Sequence, residues 1–260
     1  MLNFKAIEEN IEALAHQFQN AVPFEHVVID HFADETRLVR MIPALPVPGA
    51  DRINKSRDYI FARNKFEKGN FKELSAEWEE LYLDLTSARF QSILRTLSGQ
   101  EVFVDPDFFG GGIHLGGKDS FLDMHVDFNY HPLHRNWFRN LNILLYLNPD
   151  WIKELGGQLK LKHARTLEAA EVEPLFNRCV IMLTRDYTLH GYDRIHFPEG
   201  QFRRSVATYA YSLDASPGKE RSTRWMPEKS SFLKRAVGNA WPTLVRIKSY
   251  FLSSGTAKNK

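Results

Sequence analysis

Three side chains of this 260-residue sequence have the types and the spacing that suit a metal ion. His125 and Asp127 lie one residue apart in the apolar run 122–128, so in a β-strand both side chains point to the same face. His190 follows a second apolar run at 180–183. Two imidazoles and one carboxylate leave other coordination positions open, which is typical of non-haem Fe(II) sites. The sequence therefore predicts a metal site formed by His125, Asp127 and His190.

Other interpretations of these residues remain open at this point. His196 competes for the third ligand position, but it lies only seven residues before Arg203, so His190 is favoured. The same donor set also suits Zn(II), which would make the protein a zinc-dependent, cupin-like hydrolase or isomerase. A jelly roll that binds a sugar or peptide without turnover is the second alternative.

A carboxylate-binding pattern follows the predicted metal ligands. The strand-like run 201–211 begins 11 residues after His190 and contains Arg203 and Ser205, which alternate onto one face. A guanidinium with an adjacent hydroxyl is well shaped to bind a carboxylate through charge-assisted hydrogen bonds. We therefore expect a dicarboxylate to bridge the metal and Arg203.

The first hundred residues are predicted to be mainly helical. Apolar residues over 4–18 recur at the spacing of an amphipathic helix, and a β-branched run at 27–29 predicts a short strand. Residues 41–59 contain three prolines and Gly49 and lack periodicity, which indicates an irregular segment. A long helix is predicted over 72–98, ended by Gly99.

From residue 100 onwards the sequence changes to short strand-like runs. These runs are 101–104, 111–115, 121–128, 139–147, 157–162, 178–183 and 202–212. Evenly spaced short strands indicate a sandwich or jelly roll, and the Gly156-Gly157 pair predicts a turn with unusual backbone angles. We expect one domain over 1–228, with a helical front at 1–100 packed on a jelly-roll core at 101–213.

The composition restricts the partners and the compartment. Lys and Arg number 34 against 32 Asp and Glu, a balance that does not favour nucleic acid as a partner. The single cysteine, Cys179, lies in an apolar run and is expected to be buried, which excludes an intrachain disulfide. Without a signal peptide or a long apolar span, a cytoplasmic protein is expected. A basic amphipathic tail at 229–260 either packs on the domain or contacts a membrane surface, and no oligomeric state is predicted.

The chain resembles the prolyl-4-hydroxylase-like branch of the Fe(II)/2-oxoglutarate-dependent oxygenases across about residues 23–213. The segments that carry the resemblance are 23–30, 125–127, 142–148, 156–159, 177–180, 190–191 and 203–205. The resemblance implies a double-stranded β-helix core, iron ligation by the three metal-site residues, and 2-oxoglutarate binding by Arg203. It also implies that Tyr146 donates its hydroxyl to the cosubstrate, with Arg204 as the alternative to Arg203.

This resemblance implies a dioxygenase that uses Fe(II), 2-oxoglutarate and O₂, with ascorbate as an optional reductant. Such an enzyme hydroxylates an unactivated C–H bond of a prolyl, amino-acid-like or other small substrate and releases succinate and CO₂. The polar and aromatic loop 129–137 directly follows the metal strand and is a natural substrate lid. The candidate contacts for a small-molecule or peptidyl substrate are His114, Asn129, Tyr130, His131, Arg135 and Trp137.

Overall fold

A computed structural model describes residues 1–48, 53–55, 58 and 60–227 of the chain. Its α-helices are α1 (Phe4–Glu9), α2 (Ile11–Asn20), α3 (Glu35–Met41), α4 (Ala76–Thr86) and α5 (Ala88–Ser98). Its strands are β1 (His26–Ile29), β2 (Asn54–Lys55), β3 (Ala62–Lys68), β4 (Phe103–Val104), β5 (Gly112–Val126), β6 (Trp137–Tyr146), β7 (Leu159–His163), β8 (Ala169–Val172), β9 (Arg178–Leu183), β10 (Thr188–Tyr192), β11 (Arg203–Leu213) and β12 (Arg224–Trp225). The predicted tail at 229–260 and part of the predicted irregular segment at 41–59 lie outside the described residues.

Both predicted amphipathic helices are interrupted. The helix predicted over 72–98 is wrong as a single element, because Ser87 adopts an extended conformation between α4 and α5. The Ser87 side chain accepts a hydrogen bond from the backbone N–H of Phe90, so it begins a new helix rather than continuing the old one. The break between α1 and α2 falls at Asn10. The predicted end at Gly99 is confirmed, since its φ is 66°.

The strand predictions differ from the structure mainly at edges. The runs predicted at 111–115 and 121–128 form the single strand β5. The sequence did not predict β3, β8 or β10, since these strands lack a clear alternation of apolar and polar residues. His190, predicted to lie near a strand end, is the central residue of β10.

The strands form one curled antiparallel sheet in the order β1-β9-β6-β11-β5-β10-β7-β8. Strands that lie side by side in this sheet are mostly distant in sequence. This topology confirms the predicted mainly β fold with a double-stranded β-helix core. The main hydrophobic core joins helix residues such as Trp78 and Phe90 to strand residues such as Ile143 and Ile181. Cys179 is buried, as predicted. Among the described residues, no helix is both long enough and apolar enough to cross a bilayer.

Candidate metal and cosubstrate site

The fold brings His125, Asp127 and His190 together. His125 lies near the end of β5, Asp127 follows that strand, and His190 on β10 pairs directly with His125. The distances from the Nε2 atoms of His125 and His190 to the nearer Asp127 carboxylate oxygen are both 3.5 Å. One donor atom from each residue lies within 4.8 Å of the others. This is the separation expected for three ligands of one ion.

Both histidines place a ring nitrogen beside the carboxylate of Asp127. The Nδ1 atom of His125 lies 2.9 Å from the backbone oxygen of Asp123, which can only accept, so Nδ1 carries the proton. The Nε2 lone pair of His125 is therefore directed at Asp127 and His190. Burial, followed by the nearby charge of His125, lowers the pKa of His190 to about 3. A neutral imidazole is the form that binds a metal ion.

Asp127 is held as a carboxylate by two residues of β6. Its Oδ2 atom accepts a hydrogen bond from Asn142 Nδ2 at 2.7 Å and forms an ion pair with Arg139 Nη1 at 3.0 Å. Burial alone would raise the pKa of Asp127, but Arg139 and the two histidines hold it well below its usual range. The buried Arg139 guanidinium is itself stacked between the rings of Phe128 and Tyr209, 3.8 and 3.6 Å from their centroids.

Sequence reasoning did not assign Arg139 or Asn142 this role. Strict strand alternation would put residues 139 and 142 on opposite faces. The pairing of β6 with β11 shifts register next to residue 140, where one extra residue forms a bulge. The bulge returns both side chains to the face of Asp127, which an alternation pattern could not show.

A second group of residues surrounds Arg203. Its Nε atom donates to the backbone oxygen of Gly157 at 2.7 Å, and its Nη2 atom donates to the Tyr146 hydroxyl at 3.2 Å. The guanidinium also lies over the rings of Tyr146 and Tyr192, 4.9 and 4.5 Å from their centroids. Ser205 pairs with Tyr146 across β11 and β6. No carboxylate pairs with Arg203 among the residues that the structure describes. Its charge is therefore available to an anionic ligand.

One cavity of about 230 Å³ connects the two groups. It is lined by the three metal-site residues, by Arg203 and Ser205, and also by residues that the sequence did not single out. The latter include Lys65, Glu67, Asn142, Tyr192, Tyr209, Thr223 and Trp225. Tyr192 lies two residues after His190 on the same strand, so alternation could have identified it. Thr223 and Trp225 come from a short C-terminal strand that carried no such signal.

The other predicted site residues lie in different places. His114 lines the cavity, and its Nε2 atom is buried without a hydrogen-bond partner among the described residues. Burial lowers the pKa of His114 to about 4, despite the opposing effect of Glu67. Tyr146 is fully buried behind Arg203 rather than on the cavity wall. The predicted alternatives to Arg203 and His190 do not line the cavity. Arg204 lies on the other face of β11, and His196 is exposed.

The five loop residues predicted to contact substrate do not line the cavity. Asn129 and Tyr130 bind the C-terminal segment, through hydrogen bonds to residues 214–221. His131 is buried, with its ring packed against Trp137. Arg135 is exposed and lies 3.6 Å from Glu220. In this structure the loop supports the wall of the cavity instead of forming it.

Comparisons with known proteins agree with this arrangement. Residues 111–211 match the sequence model of the family described as the 2OG-Fe(II) oxygenase superfamily. No curated protein sequence matches the chain.

Solved structures show the same fold at low sequence identity. A prolyl hydroxylase from Trichoplax adhaerens, in complex with a hypoxia inducible factor peptide fragment, is 15% identical, with a TM-score of 0.57 over 80% of this chain and 92% of that one. A prolyl 4-hydroxylase from Phytophthora capsici is 17% identical, with a TM-score of 0.53 over 82% of this chain and 66% of that one. A prolyl-4-hydroxylase from Pseudomonas putida is 19% identical, with a TM-score of 0.52 over 79% of this chain and 100% of that one.

Proposed function

We propose that the chain is a 2OG-Fe(II) oxygenase that hydroxylates an unactivated C–H bond of a small or peptidyl substrate, and the family match over residues 111–211 supports this proposal. The proposed substrate is prolyl, amino-acid-like or another small molecule. The observation that carries the proposal is the cavity that joins a His, Asp, His donor set to an arginine that pairs with no carboxylate among the described residues.

The donor set fits Fe(II). His125, Asp127 and His190 would hold the ion through two imidazole nitrogens and one carboxylate oxygen. When bound, Fe(II) and 2-oxoglutarate supply the oxidising chemistry, in which O₂ is consumed, succinate and CO₂ are released, and one oxygen atom enters the substrate. The protein supplies the positions of the reacting groups and a cavity that limits access of water.

Arg203 is the proposed anchor for the far carboxylate of 2-oxoglutarate. The bonds to Gly157 and Tyr146 use Nε and Nη2, so Nη1 remains free to donate to a carboxylate. Ser205 lies two residues along the same strand face and adds a hydroxyl. Tyr146 supports this role from behind, because its hydroxyl accepts from Nη2 and fixes the Arg203 guanidinium. These contacts would orient the cosubstrate across the cavity.

The two alternative functions explain less of the cavity. A zinc-dependent hydrolase would use the donor set but has no need of an unpaired Arg203 on the same cavity. A sugar- or peptide-binding module would have no need of two imidazoles and a carboxylate placed together as metal ligands. Only an enzyme that binds both a metal and a dicarboxylate uses both groups.

One experiment separates these functions. Anaerobic protein with Fe(II) and 2-oxoglutarate is expected to show a weak visible metal-to-ligand absorption band. Admission of air with a pool of candidate substrates is expected to release succinate and to increase the mass of one compound by about 16, the mass of one oxygen atom. Absence of the band, together with unchanged substrate turnover in His125→Ala, would overturn the proposal.

A further inference from the structure

A C-terminal strap, defined as residues 219–226, runs beside the metal-binding segment 124–129. At one end of the strap, β12 pairs antiparallel with the last residues of β5. At the other end, Arg221 and Asn129 exchange two hydrogen bonds: the Asn129 N–H donates to the Arg221 carbonyl at 3.2 Å, and the Arg221 N–H donates to Asn129 Oδ1 at 2.7 Å. The strap is therefore held along the whole metal-binding segment.

Alternate residues of the strap face the cavity. Trp225 stacks on the metal-site residue His125, with ring centroids 4.8 Å apart, and Thr223 also lines the cavity wall. In an extended segment the next residue on that face is Arg221. Arg224 belongs to the opposite face, where its Nη2 atom donates to the backbone oxygen of Asp186 at 3.1 Å. Arg221 therefore lies on the same side of the strap as Thr223 and Trp225, although it is not itself among the residues that line the cavity.

The Arg221 guanidinium has no hydrogen bond and no ion pair among the residues that the structure describes. It is partly buried, and its Nη1 atom is fully covered without a partner. A covered donor without an acceptor costs free energy that a suitable ligand would recover. Burial, followed by the charge of Arg224, lowers the pKa of Arg221. Asp127, whose charge acts on Arg221, already accepts a hydrogen bond from Asn142 and forms an ion pair with Arg139.

We propose that Arg221 binds an anionic oxygen group of the substrate, a carboxylate or a phosphate. This inference rests on the proposed function of the cavity. Trp225 pairs with His125, whereas Arg221 lies opposite Asn129, two residues beyond the metal-site residue Asp127 and about 7 Å further along the chain. The anionic group therefore lies beside the metal end of the cavity, within a few bonds of the carbon held near the metal. A small acid or phosphate ester meets this requirement, and an internal prolyl residue without a nearby acid does not.

Inorganic phosphate and acetate are the probes for this site. Each is titrated by calorimetry into anaerobic protein loaded with Fe(II) and 2-oxoglutarate, at constant ionic strength. The chains compared are the unaltered protein, Arg221→Gln, Arg221→Lys and a control, Arg89→Gln. Arg89 is an exposed arginine paired with Glu8 on the helical side of the molecule. The control removes one arginine charge without touching the strap.

We expect Arg221→Gln to weaken binding of the preferred anion at least about 10-fold, as loss of a charged hydrogen-bond donor requires. Arg221→Lys should retain part of the affinity, and Arg89→Gln should retain all of it. The preference between the two probes identifies the group as carboxylate or phosphate. Binding that is absent from the unaltered protein, or equal in Arg221→Gln, would overturn the inference.

The visible absorption band of the loaded protein keeps the two proposals separate. If the unaltered protein lacks the band, the proposed oxygenase function fails. If the band is present and phosphate and acetate binding do not depend on Arg221, only the substrate inference fails.

Discussion

The metal end and the cosubstrate end of the cavity differ in whether their charged groups, Asp127 and Arg203, have a partner of opposite charge. At the metal end, the carboxylate of Asp127 accepts a hydrogen bond from Asn142 and forms an ion pair with Arg139, so a cation already balances part of its charge. At the cosubstrate end, the partners of Arg203 within the described part of the chain are a backbone carbonyl, a phenol hydroxyl and two aromatic rings. The first group is charge-compensated before any ligand binds, and the second is not.

This difference indicates how each end is kept in place. Asp127 is oriented by charged and polar donors, which fix a metal ligand and keep it ionised. Arg203 is oriented by neutral groups, which fix its geometry while leaving its full charge for a dicarboxylate. We therefore expect changes at the metal end to abolish binding of both metal and 2-oxoglutarate. Changes at the cosubstrate end should weaken 2-oxoglutarate binding and leave the metal in place.

The largest effect is expected from His190→Ala. Loss of one of three ligands should weaken metal binding by more than about 100-fold, beyond what removal of a supporting group costs. The absorption band with 2-oxoglutarate should disappear as well. Co(II) titration followed by visible absorption measures the first effect, and His196→Ala is the control because His196 is exposed. A normal band in His190→Ala would show that the triad is not the metal site.

The next largest effect is expected from Arg203→Met. Removal of the charged donor should raise the KM for 2-oxoglutarate by about 10- to 100-fold, since hydrogen bonds to charged groups contribute about 1.5 to 3 kcal/mol. Co(II) affinity should stay close to that of the unaltered protein. Arg204→Met is the matched control, because Arg204 is adjacent in sequence and does not line the cavity. If metal and 2-oxoglutarate binding fall together, the two ends are not separable.

Much of the fold and its central site could be predicted because the signals were local. The short runs from residue 100 onwards carry their own periodicity and turn residues, and His125 and Asp127 lie on one strand. Arg203 and Ser205 likewise share a strand face. Side-chain direction within one strand follows from the backbone alone, so such pairs can be inferred without a structure.

The remaining features depend on contacts that local patterns do not encode. The bulge near residue 140 decides that Arg139 faces Asp127. The helix break at Ser87 depends on a side-chain cap that competes with helix continuation. The loop 129–137 has the composition of a substrate lid, yet Asn129 and Tyr130 bind the C-terminal segment instead. The cavity wall at Trp225 comes from a segment about 100 residues further along the chain.

A smaller effect is expected from Gly157→Ala. A Cβ atom there would lie 2.9 Å from Arg203 Cδ, and the φ of Gly157 is 82°. Gly200 has a similar φ of 80° with open space around it, so Gly200→Ala carries the backbone strain without the contact. Each change should cost about 1 kcal/mol of stability from backbone strain. Only Gly157→Ala should also raise the KM for 2-oxoglutarate, by less than Arg203→Met does. Thermal unfolding and succinate release measure the two effects, and equal KM values for both variants would contradict the prediction.

The smallest effect concerns the pH dependence of the metal-free protein. Burial lowers the pKa of His114 to about 4 in the folded protein, while an unfolded histidine titrates near about 6.5. Between these values the unfolded chain binds a proton that the folded chain does not, so the free energy of unfolding falls as the pH falls from about 6.5 to about 4. One proton corresponds to about 1.4 kcal/mol per pH unit. His190, whose pKa is lowered to about 3, contributes with the same sign from the metal end.

Urea unfolding between pH 7 and pH 5 can therefore test the contribution of His114. In His114→Gln the slope of unfolding free energy against pH should decrease by the share of about one proton. The slope that remains is expected from His190 together with His26 and His131, because burial lowers the pKa of each of them. His16→Gln, at an exposed position on α2, should leave the slope of the unaltered protein unchanged. An unchanged slope in His114→Gln would mean that His114 binds protons equally in the folded and unfolded protein over this range, which would contradict a pKa lowered by burial.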